Sequence, residues 1–494
     1  MLIQSALLAL GATIVAAVPS LTVSGNQFVN PKTGDRFFVA GVAYQIGGSA
    51  GYDPGQGKDP LSNKDVCLRD AAVMQVMGFN TIRVYNLDPD LNHDECASIF
   101  NAAGIYMLLD VNSPLVGESL NSDEPWTSYY AKYSNRTFAV VEAFKNYPNT
   151  LAFFSGNEVI NNVQNGATAP PYVRAVTRDL KNYIAKHSTR AIPVGYSAAD
   201  VREVLVDSWN YFTCAENGDA NDPSRGDILA LNSYSFCGNS SFTASGYDQL
   251  VANFNSSSVP VFFSEYGCNT PSPRVFAEVP IIYGPQMTGL SGGVVYEFAQ
   301  EANNYGLVNI GADGTATLMA DYYTLQKQYA GVDFAQVQGT KASSSSLPPP
   351  KCDSSLISAS GFSTNFTLPA VPSDTQDIID KGVSPAPSGK IVTIDSYAVT
   401  MTVKNADGTT MKGLAVKPIS DDVFNEPGTS TTGGSGSGTS TGSAPGSSSS
   451  NNAGKRLPVF LSSAAAGSLF AAAACDGSRR WYHKTNDLRI RWLH

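Results

Sequence analysis

The stretch NTLAFFSGNE, residues 149–158, decides how the rest of the chain is read. From Leu151 to Gly156 its residues are apolar or small, which is typical of a strand buried on both faces in a parallel sheet. An amide and a carboxylate, Asn157 and Glu158, follow directly. In α/β folds the carboxyl ends of such strands carry the functional side chains. The stretch therefore predicts a buried strand that ends in a functional site.

Seven other runs have the same character and alternate with helical segments. The apolar, β-rich runs are FFVAGVAYQ (37–45), NTIRVYN (80–86), GIYMLLDVN (104–112), AIPVGYS (191–197), ILALNSYSF (228–236), VPVFFSEYG (259–267) and GGVVYEFAQ (292–300). Residues 66–78 and 172–187 show the apolar spacing of amphipathic helices. Eight strands that alternate with helices predict an α/β fold, a (β/α)8 TIM barrel over residues 18–335. The alternative is an open doubly wound sheet, but no GxGxxG or phosphate loop follows the first run.

In such a barrel all strand ends meet at one mouth, and nearly every run here ends in polar residues. These end residues are Tyr44 and Gln45, Arg83, Tyr85 and Asn86, Asp110 and Asn112, Asn157 and Glu158, Tyr196 and Ser197, Asn232 and Tyr234, Glu265 and Tyr266, and Tyr296 and Glu297. One polar end is often only a helix cap, but eight in register indicate a polar active-site mouth. Glu158 and Glu265, from the fourth and seventh strands, are predicted to face each other across it.

A carboxyl pair in a site poor in histidine suits the cleavage of an acetal. One carboxyl protonates the leaving oxygen, and the other attacks the anomeric carbon or activates water. In the double-displacement version the two groups lie about 5–5.5 Å apart. Burial and a neighbouring like charge raise the pKa of such a carboxyl, which lets it donate a proton at mildly acidic pH. Amide and tyrosine side chains would then bind sugar hydroxyls and stack on pyranose rings.

The composition excludes several other kinds of site. The chain has 494 residues, a net charge of −10 and only 15% charged residues, which argues against nucleic acid as a partner. It has four His and no CxxC pair, so neither a zinc site nor a Ser-His-Asp triad is expected, and no metal or cofactor is predicted. His93 and His187 are predicted to be surface residues, and His483 and His494 lie in the last segment of the chain.

The N-terminus predicts export from the cell. Residues 1–17 form an apolar stretch that ends in small residues, as a secretory signal peptide does. Four glycosylation sequons support an extracellular location, and they begin at Asn135, Asn239, Asn255 and Asn365. In an oxidising compartment the first six of the seven cysteines are expected to form three disulfides.

Several stretches together resemble one family of retaining glycosidases. GNEVIN and FFSEYGCN are similar to the barrel enzymes that carry Asn-Glu on strand four and Glu on strand seven. With NTIRVYNLDP, YMLLDVNSP, IPVGYSAAD, NSYSFCG, GGVVYEF and NNYGLV, the chain resembles glycoside hydrolase family 72, the fungal cell-wall β-1,3-glucanosyltransferases, from about residue 20 to about residue 330. The cysteine-rich glucan-binding module of some members is absent from the sequence, so the chain resembles the shorter subfamily.

The resemblance implies roles for individual residues. Glu158 matches the general acid/base and Glu265 the nucleophile. Asn157 is implied to hold the 2-hydroxyl of the sugar at the cleavage point. The other implied substrate-binding residues are Gln45, Tyr85, Asp110, Tyr234, Tyr296 and Tyr305. Asp110 has the alternative role of orienting a neighbouring side chain.

The resemblance and adjacency in the predicted fold also suggest how the cysteines pair. The implied disulfides are Cys67–Cys96, Cys214–Cys352 and Cys237–Cys268. The last of these would brace the loop that carries the nucleophile. Two further acidic residues near the eighth strand, Glu297 and Glu301, are interpreted as supports.

The implied activity is transfer between two β-1,3-glucan chains. One chain is cleaved by a retaining double displacement and its fragment is joined to the non-reducing end of the other, which elongates wall glucan. The expected enzyme acts outside the cell as a monomer, and it is attached to the outer leaflet of the membrane if it carries a GPI anchor. Two alternatives remain open, a hydrolytic β-1,3-glucanase on the same scaffold and a non-catalytic glucan-binding wall protein.

The composition changes after the barrel. Residues 336–427 are predicted to be an extension tied to the barrel by a disulfide, and the β-like run 390–403 indicates either a small β unit or a loosely ordered segment. Residues 428–453 read as a Ser/Gly/Thr-rich linker. Residues 454–494 resemble a GPI-anchor signal with Asn452 as the candidate attachment site, but the basic end is atypical. A weak membrane span and an incorrect gene end are the alternatives.

Overall fold

The computed structural model describes residues 17–338, 347–420 and 423–427. The strands of this part are β1 Thr22–Ser24, β2 Gln27–Val29, β3 Arg36–Phe37, β4 Val39–Ala43, β5 Thr81–Val84, β6 Tyr106–Asp110, β7 Thr150–Asn157, β8 Val194–Ala199, β9 Ile228–Asn232, β10 Val261–Tyr266, β11 Gly292–Val295, β12 Val308–Ile310, β13 Ala316–Leu318 and β14 Val403–Lys404. The α-helices are α1 Lys64–Met77, α2 Asp94–Ala102, α3 Ala131–Phe144, α4 Pro170–His187, α5 Arg202–Thr213, α6 Tyr247–Phe254, α7 Val279–Ile282, α8 Ala320–Ala330, α9 Phe334–Gln338 and α10 Thr375–Lys381.

Strands β4 to β11 close into a barrel in which every neighbouring pair is parallel. The closure is made by β11, which pairs with β4 through Val295 and Val42. Helices α1 to α7 follow the first seven barrel strands in turn, and α8 follows the eighth after the β12–β13 hairpin. The predicted (β/α)8 fold is confirmed, and each of the eight runs named from the sequence overlaps one barrel strand.

The side chains of the barrel strands alternate between the barrel interior and the helix layer. On β6, Tyr106 and Leu108 belong to the inner cluster, whereas Met107 and Leu109 pack into the outer one. All of these side chains are fully buried. Because both faces of the strand are covered, its sequence is a continuous apolar run rather than an alternating one.

Two departures from this alternation position the functional residues. Phe154 and Phe262 point into the barrel interior. With strict alternation after them, the side chains of Asn157 and Glu265 would both point away from the interior. The strand register shifts between Phe154 and Gly156 on β7, and between Phe263 and Glu265 on β10. Such irregularities re-aim a side chain. Each shift brings its polar residue to the carboxyl-end mouth of the barrel.

The sheet β1–β3 is antiparallel and lies against the barrel interior. Phe28 packs edge-on against Phe262, with ring centroids 5.8 Å apart, and Phe37 packs against Tyr106 at 5.1 Å. Both phenylalanines are fully buried. They extend the inner apolar cluster, and the polar residues of the strands gather at their carboxyl ends.

The described residues after the barrel form an irregular strap along its helices. Backbone groups of the strap bond to helix side chains: Ala359 N donates to Asp207, Lys390 N to Asp94 and Lys417 N to Gln75, each at 2.8 Å. Apolar strap residues are buried at Phe362, Ile379, Val383, Ile394, Val403, Val416 and Phe424. Most of residues 390–403 is irregular, but Ala398 forms an antiparallel bridge to Ala415 and Val403 begins β14 beside β13.

The described residues form three disulfides, and they are the pairs that the resemblance implied. Cys67–Cys96 joins α1 to α2, Cys214–Cys352 joins the end of α5 to the strap, and Cys237–Cys268 joins the loops after β9 and β10. The third disulfide lies three residues beyond Glu265 in the sequence.

One histidine prediction was wrong. His93 is only 2% exposed, and its Nε2 lies 2.6 Å from Asp59. Its ring packs on Phe144 at 4.6 Å. A polar loop sequence suggested a surface residue, but the carboxylate of Asp59 partners the buried imidazole. His187 is partly exposed, and its Nε2 lies 2.9 Å from the carbonyl oxygen of Ile379.

Several predictions fall on residues outside the described part of the chain. These are almost all of the signal peptide 1–17, the linker 428–453, Asn452, the candidate anchor signal 454–494, and His483 and His494. Across residues 17–338, 347–420 and 423–427, no helix combines the length and apolar composition needed to cross a bilayer.

Candidate active site

A cleft of about 530 Å³ opens at the carboxyl ends of the barrel strands. Its lining includes seven of the nine catalytic and substrate-binding residues predicted from the sequence, namely Gln45, Tyr85, Asp110, Asn157, Glu158, Glu265 and Tyr296. Asn86, Asn112 and Glu297, three of the polar strand-end residues, also line it. The lining is mainly polar, which suits a ligand rich in hydroxyl groups.

Glu265 lies at the bottom of this cleft, near the end of β10. Its side chain is only 11% exposed. Tyr85 donates a hydrogen bond to Oε1 at 2.9 Å, Tyr234 donates to Oε2 at 2.6 Å, and Arg83 Nη1 lies 3.3 Å from Oε1. Both carboxyl oxygens are therefore held in fixed positions.

Glu158 is the first residue after β7 and has a left-handed backbone with φ of 49°. Its N–H donates to the carbonyl oxygen of Ser197 at 2.9 Å. Its Oε1 accepts a 2.8 Å hydrogen bond from Asn232 Nδ2. Asn232 Oδ1 in turn accepts from Arg83 Nη1, which also contacts Glu265. One amide and one guanidinium thus connect the two carboxyl groups.

The environment of Glu265 favours its neutral form. Burial raises the pKa of Glu265 to about 7; Arg83 lowers it, the negative charge of Glu158 raises it further, and hydrogen bonds from Tyr234 and Tyr85 lower it. A proton on Glu158 removes the repulsion between the two carboxylates. The charge of Glu158 therefore acts on the ionisation of Glu265.

This pKa shift predicts a pH-dependent effect of Glu265→Gln on stability. A carboxyl whose folded pKa lies above its unfolded value of about 4.5 favours the native state most below pH 4.5, and this contribution is lost as pH rises through 7. The interval from 4.5 to 7 corresponds to about 3 kcal/mol. In urea unfolding, the stability difference between variant and wild type should shift in favour of the variant by about 2–3 kcal/mol between pH 4 and pH 8. A stability difference between variant and wild type that does not change with pH would show that Glu265 has the same pKa in the folded and unfolded states.

Arg83 was named among the polar strand ends but was given no catalytic or binding role, yet it hydrogen-bonds to four side chains of the site. Its side chain is fully buried. It donates to Asp110 Oδ1 and Oδ2 (3.3 and 3.1 Å), Asn157 Oδ1 (2.8 Å), Asn232 Oδ1 (3.1 Å), Ser264 O (3.3 Å) and Glu265 Oε1 (3.3 Å). A charged residue in the middle of the apolar run NTIRVYN was the sequence signal for this role, since a buried arginine needs such partners.

The arrangement around Arg83 defines what Asn157 and Asp110 do. Asn157 Oδ1 accepts hydrogen bonds from Arg83, Ser197 and Asn232, at 2.8 to 3.0 Å, so its Nδ2 is the group that can donate to a ligand hydroxyl. Asp110 is 3% exposed and is paired with Arg83. Burial raises the pKa of Asp110, and Arg83 lowers it. This pairing favours the alternative role for Asp110, which is to orient its neighbour.

Three tyrosines form one wall beside Glu265. The rings of Tyr234, Tyr296 and Tyr305 pack edge to face, with centroid separations of 5.4 to 6.2 Å. Tyr305 lies after β11, and its carbonyl oxygen accepts a hydrogen bond from Arg274 Nη2. Each ring braces the other two, which gives a rigid aromatic surface suited to pyranose rings.

Three of the strand-end residues named from the sequence do not face the cleft. Tyr44 donates to Asp70 on α1 at 2.9 Å, the Tyr196 hydroxyl accepts from Ile160 N at 2.8 Å, and the Tyr266 hydroxyl lies 3.0 Å from that of Tyr329 on α8. All three tyrosines are buried. Alternation along a strand sends them to the helix layer, so their interpretation as part of the mouth was wrong.

The disulfide Cys237–Cys268 gives a second prediction, with Cys67–Cys96 as its matched control. The two disulfides close loops of similar length, with separations of 31 and 29 residues. Replacing either pair by serines should therefore cost about 3–4 kcal/mol of stability. Only the Cys237–Cys268 variant should also lose activity, about 10- to 100-fold in kcat, because the loop that follows Glu265 is no longer tied to the loop after β9. Equal kcat losses in the two variants would contradict this role.

Among the described residues, no group of three or more His, Cys, Asp or Glu side chains is arranged to hold a metal ion. A larger cavity of about 870 Å³ lies elsewhere, lined in part by Pro193, Asp227 and Val259. These residues precede β8, β9 and β10, so this cavity is at the opposite end of the barrel and lacks a carboxyl pair.

The chain is similar to known proteins along most of its length. Residues 11–333 match the family Glyco_hydro_72, described as glucanosyltransferase. The 1,3-beta-glucanosyltransferase gel2 of Aspergillus fumigatus is 54% identical over 85% of this chain and 88% of its own length. The 1,3-beta-glucanosyltransferase GAS4 of Saccharomyces cerevisiae is 44% identical over 68% of this chain and 71% of its own length. A solved structure of Saccharomyces cerevisiae Gas2p, with laminaritetraose and laminaripentaose bound to a mutant, is 34% identical with a TM-score of 0.63, over 73% of this chain and 76% of that one.

Proposed function

The chain belongs to glycoside hydrolase family 72, the glucanosyltransferases, and we propose from this premise that it cuts one β-1,3-glucan chain and joins the fragment to another. The observation that carries the proposal is the convergence of Glu158 and Glu265 in one cleft, joined through Asn232 and Arg83. The fold, the family and the named relatives support this activity over binding alone.

In the first step Glu265 acts as the nucleophile. One of its carboxylate oxygens attacks the anomeric carbon of an internal β-1,3 linkage, and the bond from that carbon to the bridging oxygen breaks. Glu158 gives its proton to the departing oxygen, so the reducing-end fragment leaves with a free hydroxyl. The other fragment stays attached to Glu265 as an ester.

In the second step Glu158 acts as a base. Its carboxylate takes the proton from the 3-hydroxyl at the non-reducing end of an acceptor glucan, and that oxygen attacks the anomeric carbon of the ester. The ester bond to Glu265 breaks, a new β-1,3 bond forms and Glu158 is protonated again. Two inversions give net retention of configuration.

The remaining residues of the cleft bind and orient the sugar. We propose that the Asn157 amide donates to the 2-hydroxyl of the sugar at the cleavage point. Gln45 and Tyr85 would bind this sugar or its neighbour, and Tyr234, Tyr296 and Tyr305 would provide the stacking surface. Transfer exceeds hydrolysis when these contacts place the acceptor hydroxyl better than they place water.

Sizing the products of a single reduced β-1,3-gluco-oligosaccharide tests the proposal. A transferase gives oligosaccharides longer than the substrate, because fragments are joined to intact chains. A glucanase gives only shorter products, and a binding protein gives none. Either of the last two outcomes would contradict the proposed function.

We further propose where the enzyme acts. Named relatives of the fungal cell-wall family and the four sequons support an extracellular or cell-wall location. Asn239, Asn255 and Asn365 are exposed, and Asn135 is partly exposed on α3. GPI anchoring near Asn452 and a monomeric state remain predictions. Release of the protein from intact cells by phosphatidylinositol-specific phospholipase would support the anchor, and retention on the cells would contradict it.

A further inference from the structure

Two buried side-chain polar atoms in the lining of the cleft have no hydrogen-bond partner within the described part of the chain. They are Nε2 of Gln45, a donor, and Oε1 of Glu297, an acceptor. Gln45 is 5% exposed and Glu297 is 2% exposed. Buried polar groups are nearly always paired, and an unpaired one in a native structure points to a functional role.

The two side chains come from neighbouring parts of the barrel. Gln45 follows β4 and Glu297 follows β11, the strands that close the barrel. Phe298 N donates to Ala43 O at 2.9 Å, which joins the strand ends beside these residues. Gly47 N donates to Glu301 Oε1 at 2.8 Å, so the two following loops are also tied together. Gln45 and Glu297 therefore lie on neighbouring segments at the mouth of the barrel, and both line the cleft.

The rest of each side chain is fixed. Gln45 Oε1 accepts a hydrogen bond from Asn86 N at 3.2 Å. Burial raises the pKa of the Glu297 carboxyl to about 7, while the neighbouring Asn303 and Tyr296 side chains lower it. Holding this buried acceptor without a partner costs free energy, and a ligand that donates to it recovers that cost.

We propose that Gln45 Nε2 and Glu297 Oε1 together bind one hydroxyl group of the glucan. The amide donates to the hydroxyl oxygen, and the carboxyl accepts the hydroxyl hydrogen. A single hydroxyl has one donor and two acceptor positions, so it satisfies both atoms at once. This subsite rests on the proposed function, and it makes Glu297 a specificity residue instead of only a support for Tyr296.

A site built in this way rejects a sugar that lacks the hydroxyl. Without it both buried atoms remain unpaired in the complex, which costs more than the loss of an exposed contact. Wild type should therefore lose about 10- to 100-fold in kcat/KM on one member of a series of monodeoxy β-1,3-gluco-oligosaccharides. The other members of the series serve as internal references.

The decisive measurement combines the deoxy series with Glu297→Ala and Glu297→Gln. Glu297→Ala should lose about 10- to 100-fold in kcat/KM on the normal oligosaccharide, mainly through KM. Its kcat/KM on the critical deoxy compound should be about the same as on the normal oligosaccharide, because the contact is already lost. Glu297→Gln keeps an acceptor oxygen and should recover part of the loss. The matched control is Glu278→Gln, since Glu278 is 3% exposed, burial raises its pKa to about 7 as well, and it is not in the cleft lining.

The outcomes separate this subsite from the proposed function. A deoxy penalty that is lost in Glu297→Ala and smaller than that of wild type in Glu297→Gln, with longer products still formed, supports the subsite. Deoxy penalties that are the same in wild type and in the Glu297 variants would overturn it, while transfer itself would stand. If Glu297→Ala fails to fold, the deoxy penalty of Glu297→Gln decides the question in the same way.

Discussion

Glu158→Ala and Glu265→Ala should both lose transfer activity. Added azide should restore turnover of an activated donor in both variants, and the two glycosyl azide products should have opposite anomeric configurations. We expect a loss of about 10²- to 10⁴-fold for Glu158→Ala, which lacks the proton donor. The loss for Glu265→Ala should be on the order of 10⁴-fold or more, because the double displacement has no first step without its nucleophile. Glu158→Gln should still bind β-1,3-gluco-oligosaccharides, since it keeps the volume of the side chain.

The added anion reports the role of the missing carboxyl. In Glu158→Ala the ester on Glu265 still forms from an activated donor, and azide opens it from the acceptor side to give the β-glycosyl azide. In Glu265→Ala azide occupies the place of the nucleophile and gives the α-glycosyl azide from a β-linked activated donor. If Glu158→Ala gave the α-glycosyl azide and Glu265→Ala the β-glycosyl azide, Glu158 would be the nucleophile and Glu265 the acid/base. The same product from both variants would contradict the assignment.

Arg83→Met should be the most destabilising single substitution in the site. Arg83 is fully buried and pairs with Asp110 and Glu265, so its removal leaves buried carboxyl groups without their cation. Breaking a buried pair in this way costs about 3–5 kcal/mol. Arg83 also lowers the pKa of Glu265, so its loss should raise that pKa above 7 and move the acid limb of kcat/KM to higher pH.

Two further variants serve as controls for Arg83. In the double variant Arg83→Met/Asp110→Asn the second buried charge is also removed, so part of the stability should return. The shifted pH profile should remain, because Glu265 still lacks the guanidinium. Arg83→Lys keeps the charge but not the planar fork that reaches four side chains, and it should recover stability more than activity. A stable Arg83→Met enzyme with a normal pH profile would show that Arg83 does not organise the site.

The strands, the barrel and the two carboxyl groups could be predicted because each depends on local patterns. Apolar runs such as LAFFSG mark buried parallel strands, and their polar ends mark the mouth. The register shifts that turn Asn157 and Glu265 into the cleft could not be predicted, because they depend on pairing with neighbouring strands. Strict alternation would have placed both residues in the helix layer.

Other features escaped prediction because they depend on contacts far apart in the sequence. Arg83 meets Asn232 and Glu265 across 149 and 182 residues. The strap after the barrel is held by helix side chains, for example by Asp207 on α5, and by a few backbone hydrogen bonds of its own, such as Val399 N to Leu414 O. Its β-rich composition at residues 390–403 gives β pairing only at Ala398 and Val403, because the start of this stretch is bound to helix side chains.

The measurement that tests the central claim most directly is the trapping of the glycosyl enzyme. A 2-deoxy-2-fluoro β-1,3-gluco-oligosaccharide with a good leaving group should label the protein slowly, because fluorine destabilises the oxocarbenium-like transition states of both steps. We predict one added glycosyl unit by intact mass, located by peptide mapping on Glu265. A label on Glu158, or no label together with transfer products of inverted anomeric configuration, would contradict the account.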